Sequence, residues 1–251
     1  MSTPDTFPSA RLPGGRGFRN LRRILTLAAL SALPVIAMAI APAKAADCRS
    51  QPAPGADWQD CNKSNIVIRG ADLSGANLTG TDLSMTDLRS TKLTGAKLQK
   101  ATLVRSSLAG ADATGSDFSR VEAYRTSFAG IVAPGTTFAS AELQRADFKG
   151  ADLTNADFGK AELGRAEFEG AAIGGAKFAY ANLSRAQFAG ATVGAPADFA
   201  GAFMFLTRIE GVDLSGATGL AQAQVDLACG DAGTRLPAGL TAPSSWPCTF
   251  D

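Results

Sequence analysis

From Ile68 to Val193 an apolar side chain returns at every fifth residue without loss of register. The position reads Ile68, Leu73, Leu78, Leu83, Leu88, Leu93, Leu98, Leu103 and Leu108. After a few substitutions it resumes as Phe138, Leu143, Phe148, Leu153, Phe158, Leu163, Phe168, Ile173, Phe178, Leu183, Phe188 and Val193. Two residues ahead of each stands a small side chain: Ala71, Ala76, Thr81, then an unbroken alanine series from Ala141 to Ala191. A helix turns every 3.6 residues and a strand alternates every two, so a period of five fits neither. Gly75, Gly80, Gly95, Gly110, Gly115 and Gly150 fall two residues after the apolar centre, where they would break a helix. A short fixed period means that each unit buries its apolar side only against neighbouring units. The pattern predicts a coil of very short straight sides that turns a corner after every unit.

Ala71-Asp72-Leu73-Ser74-Gly75, Ala76-Asn77-Leu78-Thr79-Gly80 and Ala151-Asp152-Leu153-Thr154-Asn155 resemble the A(D/N)LXX unit of the pentapeptide-repeat family, and the resemblance runs over residues 66–218. It implies an all-β solenoid, a right-handed quadrilateral β-helix with four units per lap and both the Leu or Phe and the small residue pointing inward. On that lap length, residues one lap apart stack about 4.8 Å from each other. Phe128, Phe148, Phe168 and Phe188 then share one wall, and Phe118, Phe138, Phe158 and Phe178 the opposite one. Leu143, Leu163, Leu183 and Leu153, Ile173, Val193 line the two walls between, as a narrow filled lumen demands. Where the centre shrinks to Ala123 and Ala133, the small position grows to Val121 and Ile131, so volume is kept.

The chain ends differ in kind. Residues 1–46 open with Arg11, Arg16, Arg19, Arg22 and Arg23, continue through an apolar run from Ile24 to Ala41, and close on Ala43-Lys44-Ala45. That order is a secretory signal peptide, and it predicts a periplasmic or secreted protein, with an N-terminal membrane anchor as the alternative. Arg22-Arg23 leaves twin-arginine export open beside the general route. Removing the segment leaves 24 − 6 = 18 basic and 23 − 1 = 22 acidic residues, a net charge of −4. The remainder divides into an N-terminal cap at 47–65, the repeats at 66–218, and a C-terminal helix and tail at 219–251.

Cys48 and Cys61 precede the repeats; Cys229 and Cys248 follow them. Seven to eight laps would hold the two ends roughly 35 Å apart, whereas a disulfide requires Cα atoms within about 7 Å. The pairing Cys48–Cys61 and Cys229–Cys248 is expected, in an oxidising compartment. Trp58 is expected to cover the first lap, and a short helix within Leu220 to Ala228 and a Pro-rich tail with Trp246 the last. Pro196 marks a one-residue slip, after which centres fall at Phe199, Met204, Ile209 and Leu214. Phe203, Phe205 and Leu206 occupy outward positions; the tail packs over them, or they form an association patch. In the resembled family terminal laps can form dimer contacts, which adds a homodimer through the C-terminal end as an expectation.

The corners carry the surface chemistry. Arg105, Arg125, Arg145, Arg165 and Arg185 recur on one corner as a vertical ladder, and Lys100, Arg120, Lys160 and Tyr180 on another. Five guanidiniums so close repel unless something intervenes. Glu122, Glu142 and Glu162, three residues before ladder arginines, and Asp147 and Glu167, two after, suggest a lattice of solvated ion pairs. The alternative is a docking strip, comprising the ladder with Lys100, Arg120 and Lys160, for an anionic protein face, glycan or lipid headgroup.

Other chemistries are poorly served. Some proteins of the resembled family imitate DNA at topoisomerases, but sixteen acidic and fifteen basic residues between 66 and 218 give no duplex-like charge. The glutamates likewise disfavour nucleic acid as a partner. The chain has no histidine, and its cysteines are expected to be bonded, so the usual catalytic bases and nucleophiles are missing. No cofactor, no metal and no catalytic residue is predicted. The sequence therefore predicts an exported, non-catalytic scaffold binding an unidentified protein or anionic envelope component through its side faces. The alternative is a β-helix enzyme acting on a polysaccharide.

Overall fold

A computed structural model describes residues 46–249. The signal segment expected at 1–46 lies, apart from Ala46, outside the described residues. Within them the backbone repeats one motif: a single bridging residue, the buried centre, a two-residue corner and a small residue. Bridges are parallel and join residues twenty apart, as in Asp147↔Glu167 and Glu142↔Glu162. Twenty residues with a corner in every five make a four-sided lap, each side too short to be a strand of its own.

One unit accounts for all of its backbone donors. Asp147 N–H donates to the Thr126 carbonyl one lap back (3.0 Å), while Phe148 and Gly150 donate to Glu167 and Glu169 one lap on (2.7 and 2.9 Å). Ala151 N–H closes the corner onto the Phe148 carbonyl (3.1 Å). The fifth donor, Lys149 N–H, is taken by the Asp147 carboxylate (3.0 Å). Asp72, Asp112 and Asp152 capture the corresponding N–H groups of Ser74, Thr114 and Thr154. The Asp or Asn of the repeat is thus a structural residue, satisfying a backbone group that the coil geometry leaves over. Hydrogen bonds from the Ser74 and Thr114 hydroxyls, and then from the N–H groups of the same residues, hold the pKa values of Asp72 and Asp112 below the ordinary carboxylate range.

Inside, Phe148 and Phe168 lie over each other, ring centroids 5.1 Å apart and planes 4° from parallel. The stacks on the two opposing walls meet edge to face across the lumen, as for Phe148 and Phe158 at 5.6 Å and 86°. Phe118 to Phe188 are all fully buried. Inward threonines cost nothing in unsatisfied groups: Thr126 Oγ1 donates to the Leu103 carbonyl (2.5 Å) and Thr136 Oγ1 to that of Ala113 (2.6 Å).

The coil extends past both boundaries that the sequence suggested. Bridging begins at Asp57↔Asn77, because Ala56-Asp57-Trp58 already supplies a small, a bridging and a central residue. Trp58 is therefore no lid over the first lap but its core, fully buried in the central position. Its Nε1 donates to Ser50 Oγ (2.8 Å). Lys63 covers it, Nζ standing 3.9 Å from the ring centroid and donating to the Ser50 carbonyl (3.3 Å). Burial pushes the Lys63 pKa down, with Asp47 opposing. Both expected disulfides are present, Cys48–Cys61 with Cα atoms 5.4 Å apart and Cys229–Cys248 with 5.5 Å.

At the far end the slip appears as Lys177↔Asp198, twenty-one residues apart. The extra residue is accommodated at Gly174, where a Cβ would come within 3.1 Å of Ala195 N. Helix α1, Gln222–Val225, buries Val225 under the last laps. The Gln224 amide donates to the Phe199 and Ala202 carbonyls (2.8 and 2.9 Å). The chain then rejoins the coil through Arg208↔Cys229 and Asp213↔Arg235, beyond residue 219 where the tail was expected to begin. Trp246 packs on Gly230 and donates to the Ala228 carbonyl (2.7 Å). The tail therefore does not cover the outward aromatics: Phe203 is 52% and Phe205 42% exposed. No helix among the described residues is long and apolar enough to cross a membrane.

Candidate functional site

All four corners share one backbone requirement, a positive φ at the second corner residue. Glycine meets it at Gly110, Gly130, Gly150, Gly170 and Gly190, with φ of 62–69°. The ladder meets it with arginine: Arg105, Arg125, Arg145, Arg165 and Arg185 have φ of 56–60°. For a residue with a Cβ this left-handed conformation costs free energy that glycine avoids. Lys100, Arg120 and Lys160 do the same on the preceding corner, with φ of 59–60°. The two basic files therefore edge one wall, whose middle carries Glu122, Glu142 and Glu162. At its three glutamates that wall also forgoes the aspartate bond: no side chain among the described residues accepts from Tyr124, Gln144 or Gly164 N–H, whereas Asn182 accepts from Ser184 N–H on the next lap. Part of this edge and wall is built against the local preferences of the coil.

The expected ion-pair lattice is not there. Among the described residues, no ladder arginine lies within 4.0 Å of a carboxylate, and neither do Lys100, Arg120 and Lys160. Glu167 is held instead by Lys149 (2.5 Å), which raises the lysine pKa, and Glu162 accepts from the Asn182 amide (2.8 Å). The reason is the corner itself. A Cβ built at corner glycines such as Gly130, Gly150 or Gly170 meets nothing within 4 Å, so side chains there leave the edge outward and do not lie back along a wall. The first residue of a corner does form ion pairs, as Arg69 and Arg89 do with the bridging Asp87 (2.6 and 2.7 Å). Those two guanidiniums hold the Asp87 carboxyl far below its usual pKa. Arg125 has an aromatic neighbour, its guanidinium 5.1 Å from the Tyr124 ring centroid.

Beside the ladder runs a groove of about 760 Å³. Arg145, Arg165, Arg185 and Leu206, successive residues of the corner file, form one side; Glu167, Gln187, Arg208 and Cys229, successive bridging residues of the next wall, form the other. Arg208 is engaged by Glu210 (2.9 Å) and Glu167 by Lys149, leaving the three ladder arginines as the groove's free charges. Next to Leu206, Phe203 and Phe205 project from the same lap with rings 11° from parallel and centroids 6.4 Å apart. The sequence showed the ladder and the aromatics separately; the groove was missed, because its second side comes from residues that have no periodic signature. Among the described residues no group of His, Cys, Asp or Glu is arranged to hold a metal ion.

The model of a pentapeptide repeat region matches residues 101–178, and that of pentapeptide repeats (8 copies) matches 55–84 and 166–193. The chain belongs to the pentapeptide-repeat family. Among solved structures it is similar to full-length QnrB1, a plasmid-mediated fluoroquinolone resistance protein, at 21% identity and TM-score 0.50, over 72% of this chain and 86% of that one. It is similar to HetL, a pentapeptide repeat protein involved in heterocyst differentiation regulation in the cyanobacterium Nostoc sp., at 26% identity and TM-score 0.40, over 73% and 90%. A pentapeptide repeat protein of the Arabidopsis thaliana thylakoid lumen matches at 24% identity and TM-score 0.21, over 48% and 67%. The QnrB1 likeness speaks to the fold alone. No curated protein matches the chain.

Proposed function

We propose that this pentapeptide-repeat protein is an exported, non-catalytic scaffold that holds an anionic protein or envelope polymer along its arginine-bearing edge. The reading includes the right-handed winding that the family likeness implies, and a secretory segment at 1–46. The observation that carries it is the ladder: exposed arginines in a backbone conformation that disfavours them, free of carboxylates, three of them lining a groove. Binding an anion would relieve their mutual repulsion, so the edge gains most when occupied. Two disulfides, one at each end, support an oxidising compartment. A glycosidase needs two carboxyl groups facing each other across a cleft; Glu142 and Glu162 instead follow one another on a single wall.

The test is charge reversal. Retention of the purified protein on a carboxylate polyanion matrix should fall as salt rises, and should be lost when Arg125, Arg145 and Arg165 are all replaced by glutamate. Retention unchanged by that triple replacement would end the proposal.

A further inference from the structure

We infer that the groove beside the ladder binds a linear polyuronate, an unbranched chain of carboxylate-bearing sugars, and this rests on the ladder being an anion-binding edge. The first argument is spacing. Stacked rings one lap apart measure from 4.7 Å for Phe168 and Phe188 to 5.2 Å for Phe158 and Phe178, so the corner residues that carry the free guanidiniums recur at that interval along the axis. An extended acidic peptide presents same-side carboxylates only every two residues, about 6.6 Å, and slips out of register at once. A sugar residue advances a linear glycan by close to one lap, so a uronate whose alternate sugars face opposite sides still returns a same-side carboxylate about every two laps, in register with the ladder. The guanidinium is also the planar fork that matches a carboxylate in two parallel hydrogen bonds.

The second argument is the groove's lower end. Leu206 continues the arginine file at φ 54°, and Phe203 and Phe205 precede it on the same lap. All three stand where the preceding lap carries polar residues; Leu206 lines the groove below Arg185, while Phe203, bridged to Asn182, and Phe205 lie just round the corner on the glutamate wall. A sugar ring has an apolar face of C–H groups and a hydroxylated rim. A uronate chain that crosses the corner at Leu206 lays a ring face on the aromatic pair, while the Gln187 amide, with donor and acceptor together, suits the rim inside the groove. A lipid surface would need a broad, flat basic face, whereas the free charges here line a recess flanked by the Glu122–Glu162 wall.

The experiment is calorimetric titration of the purified protein with a galacturonate oligomer and, separately, with poly-glutamate of equal charge. The galacturonate oligomer should bind at least about tenfold tighter, and loss of one bidentate contact in Arg165→Gln should weaken it about tenfold or more. The double replacement Phe203→Ala and Phe205→Ala should weaken galacturonate several-fold and leave poly-glutamate unchanged. Galacturonate binding no tighter than poly-glutamate, or indifferent to the phenylalanines, overturns the sugar assignment while ladder-dependent poly-glutamate binding keeps the anion-binding edge. Binding of neither polyanion overturns both.

Discussion

If the ladder arginines are both unpaired and strained, removing one should stabilise the protein, and two replacements at Arg145 separate the causes. Arg145→Gln keeps a Cβ at φ 59° but deletes the charge between Arg125 and Arg165. Unit charges about 4.8 Å apart repel by about 1 kcal/mol in water, roughly halved by physiological salt. With two neighbours, and side chains free to splay, the gain should be at most about 1 kcal/mol at low salt and near zero at about 1 M. Arg145→Gly deletes the charge and relaxes the corner as well. A left-handed residue with a Cβ costs roughly 1–2 kcal/mol, and glycine returns about half of that as unfolded-chain entropy, leaving about 0.5–1 kcal/mol that salt does not touch. The assay is thermal unfolding of the three proteins at low and high ionic strength. For a chain of this size each kcal/mol moves Tm by about 2–4 °C. A fall in Tm for Arg145→Gln at low salt would mean that the arginine is paired after all. Arg145→Gly no more stable than Arg145→Gln would mean that the corner is unstrained. Both variants should bind polyanions less well, since stability and binding compete at this position.

Two further outcomes follow from the core and the corners. Phe148→Ala removes a ring that touches Phe128, Phe168, Phe138 and Phe158, and should cost about 3–5 kcal/mol in urea unfolding. A cost near 1 kcal/mol would mean that the stack can collapse into the space. Acid should destabilise the coil: Asp72, Asp87, Asp112, Asp213 and Asp231 all have depressed pKa values. Their contribution is full above the unfolded carboxylate pKa of about 3.9 and is lost as pH falls through the depressed folded values. Tm measured from pH 6 downward should hold until about pH 4 and then drop, and a Tm flat to pH 2 would contradict the role given to these bonds.

The lap and its contents were legible in the sequence because both are set by neighbours at a fixed spacing. Five-residue units, inward phenylalanines in two files, a corner after every unit and the pairing of cysteines at separate ends all follow from period and reach. The same register ran unnoticed through Ala56-Asp57-Trp58, where tryptophan and cysteine replace the usual leucine and alanine; the sequence carried the signal in spacing but not in residue type. Which surface charges meet was a different matter. Glu122 and Arg125 are three residues apart in the chain, yet the corner sends the arginine outward, while Lys149 finds Glu167 one lap away. Composition and spacing determined the tube; the direction of each Cβ at a corner, known only once the laps are stacked, decided that the arginines stand free beside a groove.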